Sequence, residues 1–111
     1  MKGPYYLVIG SVVALPETPA AYILGVKPNN SVYVGRSDRN LRERMLQHLR
    51  QNEQNLSIVR HAPTIFWYQE ARSAEEAFSL EFTWYAKFAH PCNDAVPARP
   101  RPVQSAIPRN W

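Results

Sequence analysis

Ala20-Ala21-Tyr22-Ile23-Leu24-Gly25-Val26, then Lys27-Pro28-Asn29-Asn30-Ser31, then Val32-Tyr33-Val34-Gly35: two runs of aliphatic and aromatic residues flank a cluster of turn-forming ones. This is the pattern of a β-hairpin turning near Asn29. Side chains alternate across a strand, so register decides what the hairpin presents. With Leu24 facing Tyr33, Tyr22 faces Gly35, both phenols leave the same side of the sheet, and Gly35 leaves space beside Tyr22. The ordinary alternative is that both rings are core or cross-strand packing residues.

Downstream, Asn40 stands before Leu41 with Glu43 three positions on, a helix start in which each side chain can satisfy an orphan backbone amide of the other. Leu41, Met45 and Leu49 then recur at helical spacing. The segment 51–63 is polar with scattered apolar residues and reads as a short helix or a loop. Thr64 to Tyr68 is dense in β-branched and aromatic residues and predicts a strand. A second capping box at Ser73 and Glu76 opens a long helix running towards Phe88, with His90 and Pro91 closing it. Upstream, Lys2 precedes an apolar run from Tyr5 to Leu15, with Ala20 and Ala21 beyond, in the outline of a weak secretory signal. The β-branched Val8, Ile9, Val12 and Val13 and the interruption by Gly10 and Ser11 favour a strand. The run falls short of the roughly 20 apolar residues of a spanning helix, so no membrane anchor is expected.

The chain has 111 residues, enough for one hydrophobic core and too few for two ordinary linked domains. Residues 1–93 read as a single domain with an added N-terminal strand, and 94–111 as an extended tail rich in Pro and Arg, including Arg99, Arg101 and Arg109. Alternating strands and helices make the class α/β, a small sheet with a hairpin and flanking helices. The formal charge of +4 favours a polyanionic partner, nucleic acid being the natural one, though the same charge also serves solubility. Cys92 is the single cysteine. That excludes an intrachain disulfide and a thiolate zinc site, and fits a reducing cytoplasm.

Three constellations carry chemistry. On the second long helix Ala74, Ala77, Phe78, Tyr85 and Phe88 lie within about 60° of one meridian, and Glu81 falls at its centre. A carboxylate in an apolar stripe must be paired with a cation such as a neighbouring arginine, protonated, or bound to a metal ion. Glu75 and Glu76, in the first turn of that helix, favour its dipole and are structural. On the first helix Arg44 and His48 stand one turn apart on one face. There Arg44 can hold a phosphate and His48 can relay a proton or hold water, while ordinary solvation among Arg42, Glu43 and Arg50 is the plain reading of Arg44. Tyr22 and Tyr33 make the third.

Taken in order, Ala20-Ala21-Tyr22, Tyr33-Val34-Gly35, Arg44 with His48, Glu81, and Asn93 resemble the signature of the GIY-YIG nuclease superfamily over Ala20 to Asn93. Val34 replaces that family's isoleucine, and Ala20 and Ala21 replace its glycine and isoleucine. The resemblance implies a small antiparallel sheet packed with helices and a metal-dependent endonuclease whose water attacks in line, leaving a 5′-phosphate and a 3′-hydroxyl. By it, Glu81 is the single protein ligand of one divalent cation, Mg²⁺ or Mn²⁺. Tyr22 is the candidate general base, needing the positive field of Arg44 and the metal or help from His48, because a free phenol is a poor base at neutral pH. Tyr33 orients water or phosphate, Arg44 neutralises the scissile phosphate, and Asn93 anchors the site. Lys27, Arg36, Arg39 and Arg42 are candidate sequence-independent contacts to nucleic acid, most naturally DNA. Without an appended reading element, specificity falls to a protein partner or a homodimer. The competing readings are a binding module of the same fold without catalysis, and an interaction protein acting through its tail.

Overall fold

In a computed structural model, which describes residues 1–28, 30–49 and 56–88, the elements run β1 (Lys2–Tyr6), α1 (Ile9–Val12), β2 (Ala20–Val26), β3 (Asn30–Ser37), α2 (Leu41–Leu49), α3 (Leu56–His61), β4 (Ile65–Glu70) and α4 (Ala74–Lys87). The strands form one antiparallel sheet in the order β1-β4-β2-β3. The sequence-predicted hairpin is present, and the register, which alternation by itself left open, pairs Leu24 with Tyr33 and Tyr22 with Gly35. An irregularity between Leu24 and Gly25 follows, so Gly25 pairs with Ser31 and Val32 is stepped over.

Strand β2 is central and almost wholly buried, and its alternation divides the core in two. Ala20, Tyr22 and Leu24 pack with Phe66, Tyr68, Val12, Leu15, Leu41, Met45 and Ile58 beneath the helices that precede β4. Ala21 and Ile23 pack on the other face with Val34 and Trp67, with Leu80 and Trp84 from α4, and with Phe88 just after it. Both alanines of the first triplet are fully buried.

Helix starts follow the capping logic with one change at each. Asn40 Oδ1 accepts from the Glu43 backbone N–H at 3.0 Å, but the Asn40 N–H donates to Ser37 Oγ rather than to Glu43. Ser73 Oγ accepts from the Glu76 N–H at 3.1 Å, while Glu76 Oε1 takes the N–H of Arg72 instead of that of Ser73. In both cases the forward bond of the box forms and the return bond goes one partner astray.

The N-terminal strand is shorter than the apolar run suggests. It ends at Tyr6, and Leu7 donates to Thr64 O just before β4 begins. Beyond that point β1 has no strand to pair with among the described residues, and the chain turns into α1, which buries Val12 and leaves Ile9 and the following Val13 exposed. Tertiary pairing here overrides the β propensity of Val8, Ile9, Val12 and Val13. The segment read as helix or loop contains α3. On α4 the buried stripe runs through Ala77, Glu81 and Trp84, while Ala74 is exposed.

Candidate active site

The site starts from Tyr22, whose ring reaches from the central strand across Gly35 on edge strand β3. A Cβ at Gly35 would stand 2.7 Å from both the Cζ and the hydroxyl of Tyr22, and 2.7 Å from Cε2 of Tyr33. Only a residue without a side chain lets the phenol lie there. The Tyr22 hydroxyl accepts from Arg44 Nε at 3.1 Å and lies 2.6 Å from His48 Nε2. Either tautomer of His48 completes that bond: protonated at Nδ1 it accepts the phenol proton, and protonated at Nε2 it donates to the phenol oxygen. Rise and twist of α2 bring Arg44 and His48 to one face, and the Asn40 cap sets where that helix begins.

The cluster is tied together beyond these bonds. Arg44 Nη1 donates to Gln47 Oε1 at 3.0 Å, and Tyr33 adds a hydrogen bond to the same guanidinium. The His48 ring stands edge-on to Tyr22 and Tyr33 at centroid distances of 5.4 and 5.7 Å. Tyr22, Tyr33, Arg44 and His48, drawn from β2, β3 and α2, thus form one contact group.

Burial pushes the Tyr22 phenol well above its ordinary range, the negative fields of Tyr33 and Glu81 add to the shift, and the opposing Arg44 does not reverse it. Tyr22 is therefore a protonated phenol at neutral pH. Arg44 is shifted upward, by the field of Tyr22 first, and keeps its charge.

Glu81 sits on the other face, beneath α4, and is almost fully buried. Burial raises its carboxyl above the ordinary range, and Arg36 acts most strongly against that rise. Arg36 Nη1 donates to Glu81 Oε1 at 2.8 Å, and its Nε donates to Asp38 Oδ1 at 2.7 Å. The guanidinium also lies 4.1 Å from the centre of the Phe78 ring. The arginine partner weighed for Glu81 from its apolar setting is thus Arg36. Glu81 is coupled to the tyrosine cluster by its field, which acts on Tyr22 and on Arg44. Among the described residues no three His, Cys, Asp or Glu side chains gather as a metal cage.

The other sequence candidates are placed differently. Lys27 donates to Tyr6 Oη at 2.7 Å and lies over that ring. Arg42 Nε donates to Leu15 O at 2.9 Å and its Nη1 lies 3.7 Å from Glu17, fastening α2 to the turn after α1. Arg39 is exposed beside the start of α2. Asn93 and the tail lie outside the described residues. Sequence reasoning did not single out Gln47 or Asp38, took Phe78 only as part of the apolar stripe around Glu81, and placed Arg36 among surface cations. Period-two alternation carried the missing signal: Arg36 shares a strand face with Val34, the face that α4 covers.

The model of the GIY-YIG catalytic domain matches residues 19–93, most of the chain and every element of the cluster. The chain belongs to the GIY-YIG family. No curated protein is matched. Among solved structures, the GIY-YIG N-terminal endonuclease domain of UvrC from Thermotoga maritima, bound to magnesium as its catalytic divalent cation, superposes with a TM-score of 0.65 at 21% identity, over 76% of this chain and 92% of that one. A tyrosine-to-phenylalanine variant of that domain gives 0.63 at 24% identity over 76% and 92%. An asparagine-to-alanine variant gives 0.66 at 20% over 78% and 93%. At these identities the likeness establishes the GIY-YIG fold, a four-stranded antiparallel sheet flanked by helices, as the sequence reading expected. The family is one of nucleases. No helix among the described residues is long and apolar enough to cross a membrane.

Proposed function

We propose that this GIY-YIG chain is a metal-dependent endonuclease that hydrolyses phosphodiester bonds in DNA by in-line water attack, leaving a 5′-phosphate and a 3′-hydroxyl. The observation that carries the reading is the Tyr22 hydroxyl held jointly by Arg44 and His48. A buried phenol with a raised pKa is a poor base alone, but its proton has somewhere to go. As Tyr22 oxygen takes a proton from the attacking water, its own proton passes to His48 Nε2, so no free phenolate need accumulate. The Arg44 Nε–H steadies the charge on the phenol oxygen during that exchange, and the permanent charge of the guanidinium suits it to the scissile phosphate. Tyr33, bonded to the same guanidinium, orients water or phosphate.

Glu81 fits a divalent cation by its chemistry: it is a hard oxygen donor in an apolar setting, where its charge needs a positive partner. Glu81 would hold Mg²⁺ or Mn²⁺, which would supply positive charge to the leaving oxygen. The UvrC domain's magnesium supports this choice. Asn93, which follows α4 in the sequence, is assigned the anchoring role, and residues 1–93 the nuclease domain, with 94–111 as its tail. Lys27, Arg36, Arg39 and Arg42 are assigned to the nucleic-acid backbone, consistent with the net charge of +4. Specificity is assigned to a partner protein or a homodimer, and the compartment to the cytoplasm, as the single cysteine suggests.

The experiment is cleavage of labelled single-stranded, duplex and branched DNA with Mg²⁺, Mn²⁺ or EDTA, beside Glu81→Ala and Arg44→Ala. Metal-dependent cutting by the wild type, lost in both variants, is the expected result. Equal DNA binding by all three proteins with no cutting by any would instead leave a nucleic-acid-binding module of the same fold.

A further inference from the structure

Arg36 holds the carboxylate that the proposed function assigns to a divalent ion. Its guanidinium is gripped from two sides, by Glu81 Oε1 on α4 and by Asp38 Oδ1 just beyond β3, with the Phe78 ring against it. The two grips differ in setting. The Glu81 side chain is 11% exposed and that of Asp38 51% exposed. Among the described strands β3 lies at the sheet edge, and the Arg36 side chain is 30% exposed.

We infer that Arg36 is a charge latch on Glu81: it holds the carboxylate in the ion-free protein and must release it before a divalent cation can bind there. The inference rests on the metal reading of Glu81. Burying an unpaired carboxylate is costly, so an ion-free nuclease of this design needs a resident cation at Glu81, and Arg36 serves as one. A guanidinium and a divalent ion on one largely buried carboxylate repel strongly, so occupancy by one works against the other. Asp38 gives the released guanidinium somewhere to stay: the side chain can pivot about its Nε–H bond to Asp38, withdrawing Nη1 from Glu81. The latch thereby sets the divalent-ion concentration at which the site loads.

The test is Mn²⁺ binding to the full chain without DNA, followed by the electron paramagnetic resonance of the free ion, for wild type, Arg36→Gln and Glu81→Gln. Arg36→Gln should bind Mn²⁺ about tenfold more tightly, the scale of an ion pair between the exposed and buried limits, and Glu81→Gln should lose the site. In parallel, ¹⁵N spectra of the wild-type arginine side chains should show the Arg36 signals moving as Mg²⁺ saturates the protein, a readout that stands even if Arg36→Gln fails to fold. Equal or weaker Mn²⁺ binding by a folded Arg36→Gln, with the site still lost in Glu81→Gln, overturns the latch and leaves the metal site standing. So do Arg36 signals that stay fixed at saturating Mg²⁺. Failure of the wild type to bind Mn²⁺ at all overturns both the latch and the metal reading beneath it.

Discussion

Gly35 and Tyr22 are cross-strand partners whose packing admits no side chain at position 35: a Cβ there would meet the Tyr22 hydroxyl at 2.7 Å. The same hydroxyl is the one held by Arg44 and His48. A backbone requirement on one strand therefore fixes where the phenol of the next can deliver its proton.

Gly35→Ala should force the Tyr22 and Tyr33 rings aside and separate Tyr22 from His48. Overpacking of this kind costs about 1–3 kcal/mol, readable as a lower midpoint in urea. Cleavage should fall by more than the fraction unfolded explains. Wild-type stability and wild-type cutting together would show that the rings yield freely.

Tyr22→Phe keeps the ring and removes the proton path. Cleavage should drop by about 10²–10⁴-fold, the range for loss of a positioned acid–base group, with DNA affinity nearly unchanged. A loss confined to affinity would remove Tyr22 from the chemistry.

The raised pKa of Tyr22 also predicts a pH dependence. Its folded value lies above the ordinary 10.0, so both states keep the proton at neutral pH and the stability is fully present there. As pH rises past 10.0 the unfolded chain gives up this proton first, and stability declines until the folded value is passed. Relative to Tyr22→Phe, the wild type should lose about 1.4 kcal/mol per pH unit more within that window. Parallel stability curves for the two proteins above pH 10 would count against the shift.

Asn40→Ala removes the side chain that caps the helix carrying Arg44 and His48. About 1 kcal/mol of stability should go with it, measured by chemical denaturation. If α2 positions the cluster as described, activity at a temperature where the variant is fully folded should also decline. Cleavage at the wild-type rate there would show that packing of Leu41 and Met45 alone holds the helix in place.

Local rules carried the reading as far as local physics reaches. The turn cluster at 27–31 marked the hairpin, and alternation put Tyr22 opposite Gly35 on the condition that Leu24 faces Tyr33, which the structure meets. Asn40 and Ser73 marked two helix starts because a side-chain oxygen near an orphan N–H is a short-range need. Glu81 stood out because a carboxylate in an apolar stripe signals a missing partner whatever that partner is. The same rules failed at Ile9–Val12, which lies past the point where β1 meets the first residue of β4, and a helical turn replaces the expected extension. They also left Lys27 and Arg42 as surface cations, although both are engaged with Tyr6, Leu15 and Glu17.

The sequence by itself determined the hairpin, the two capped helices, the family signature, and the residue types able to handle a phosphate, a proton and a cation, but left the hairpin register to the structure. Tertiary structure alone decided that the Tyr22 hydroxyl falls between Arg44 and His48, and that the cation facing Glu81 is Arg36. The division has a physical cause. Periodicity and capping act between residues a turn or a strand pair apart, whereas Tyr22 and His48 are 26 positions apart and Arg36 and Glu81 are 45. Those meetings are set by how both faces of one sheet pack against their helices.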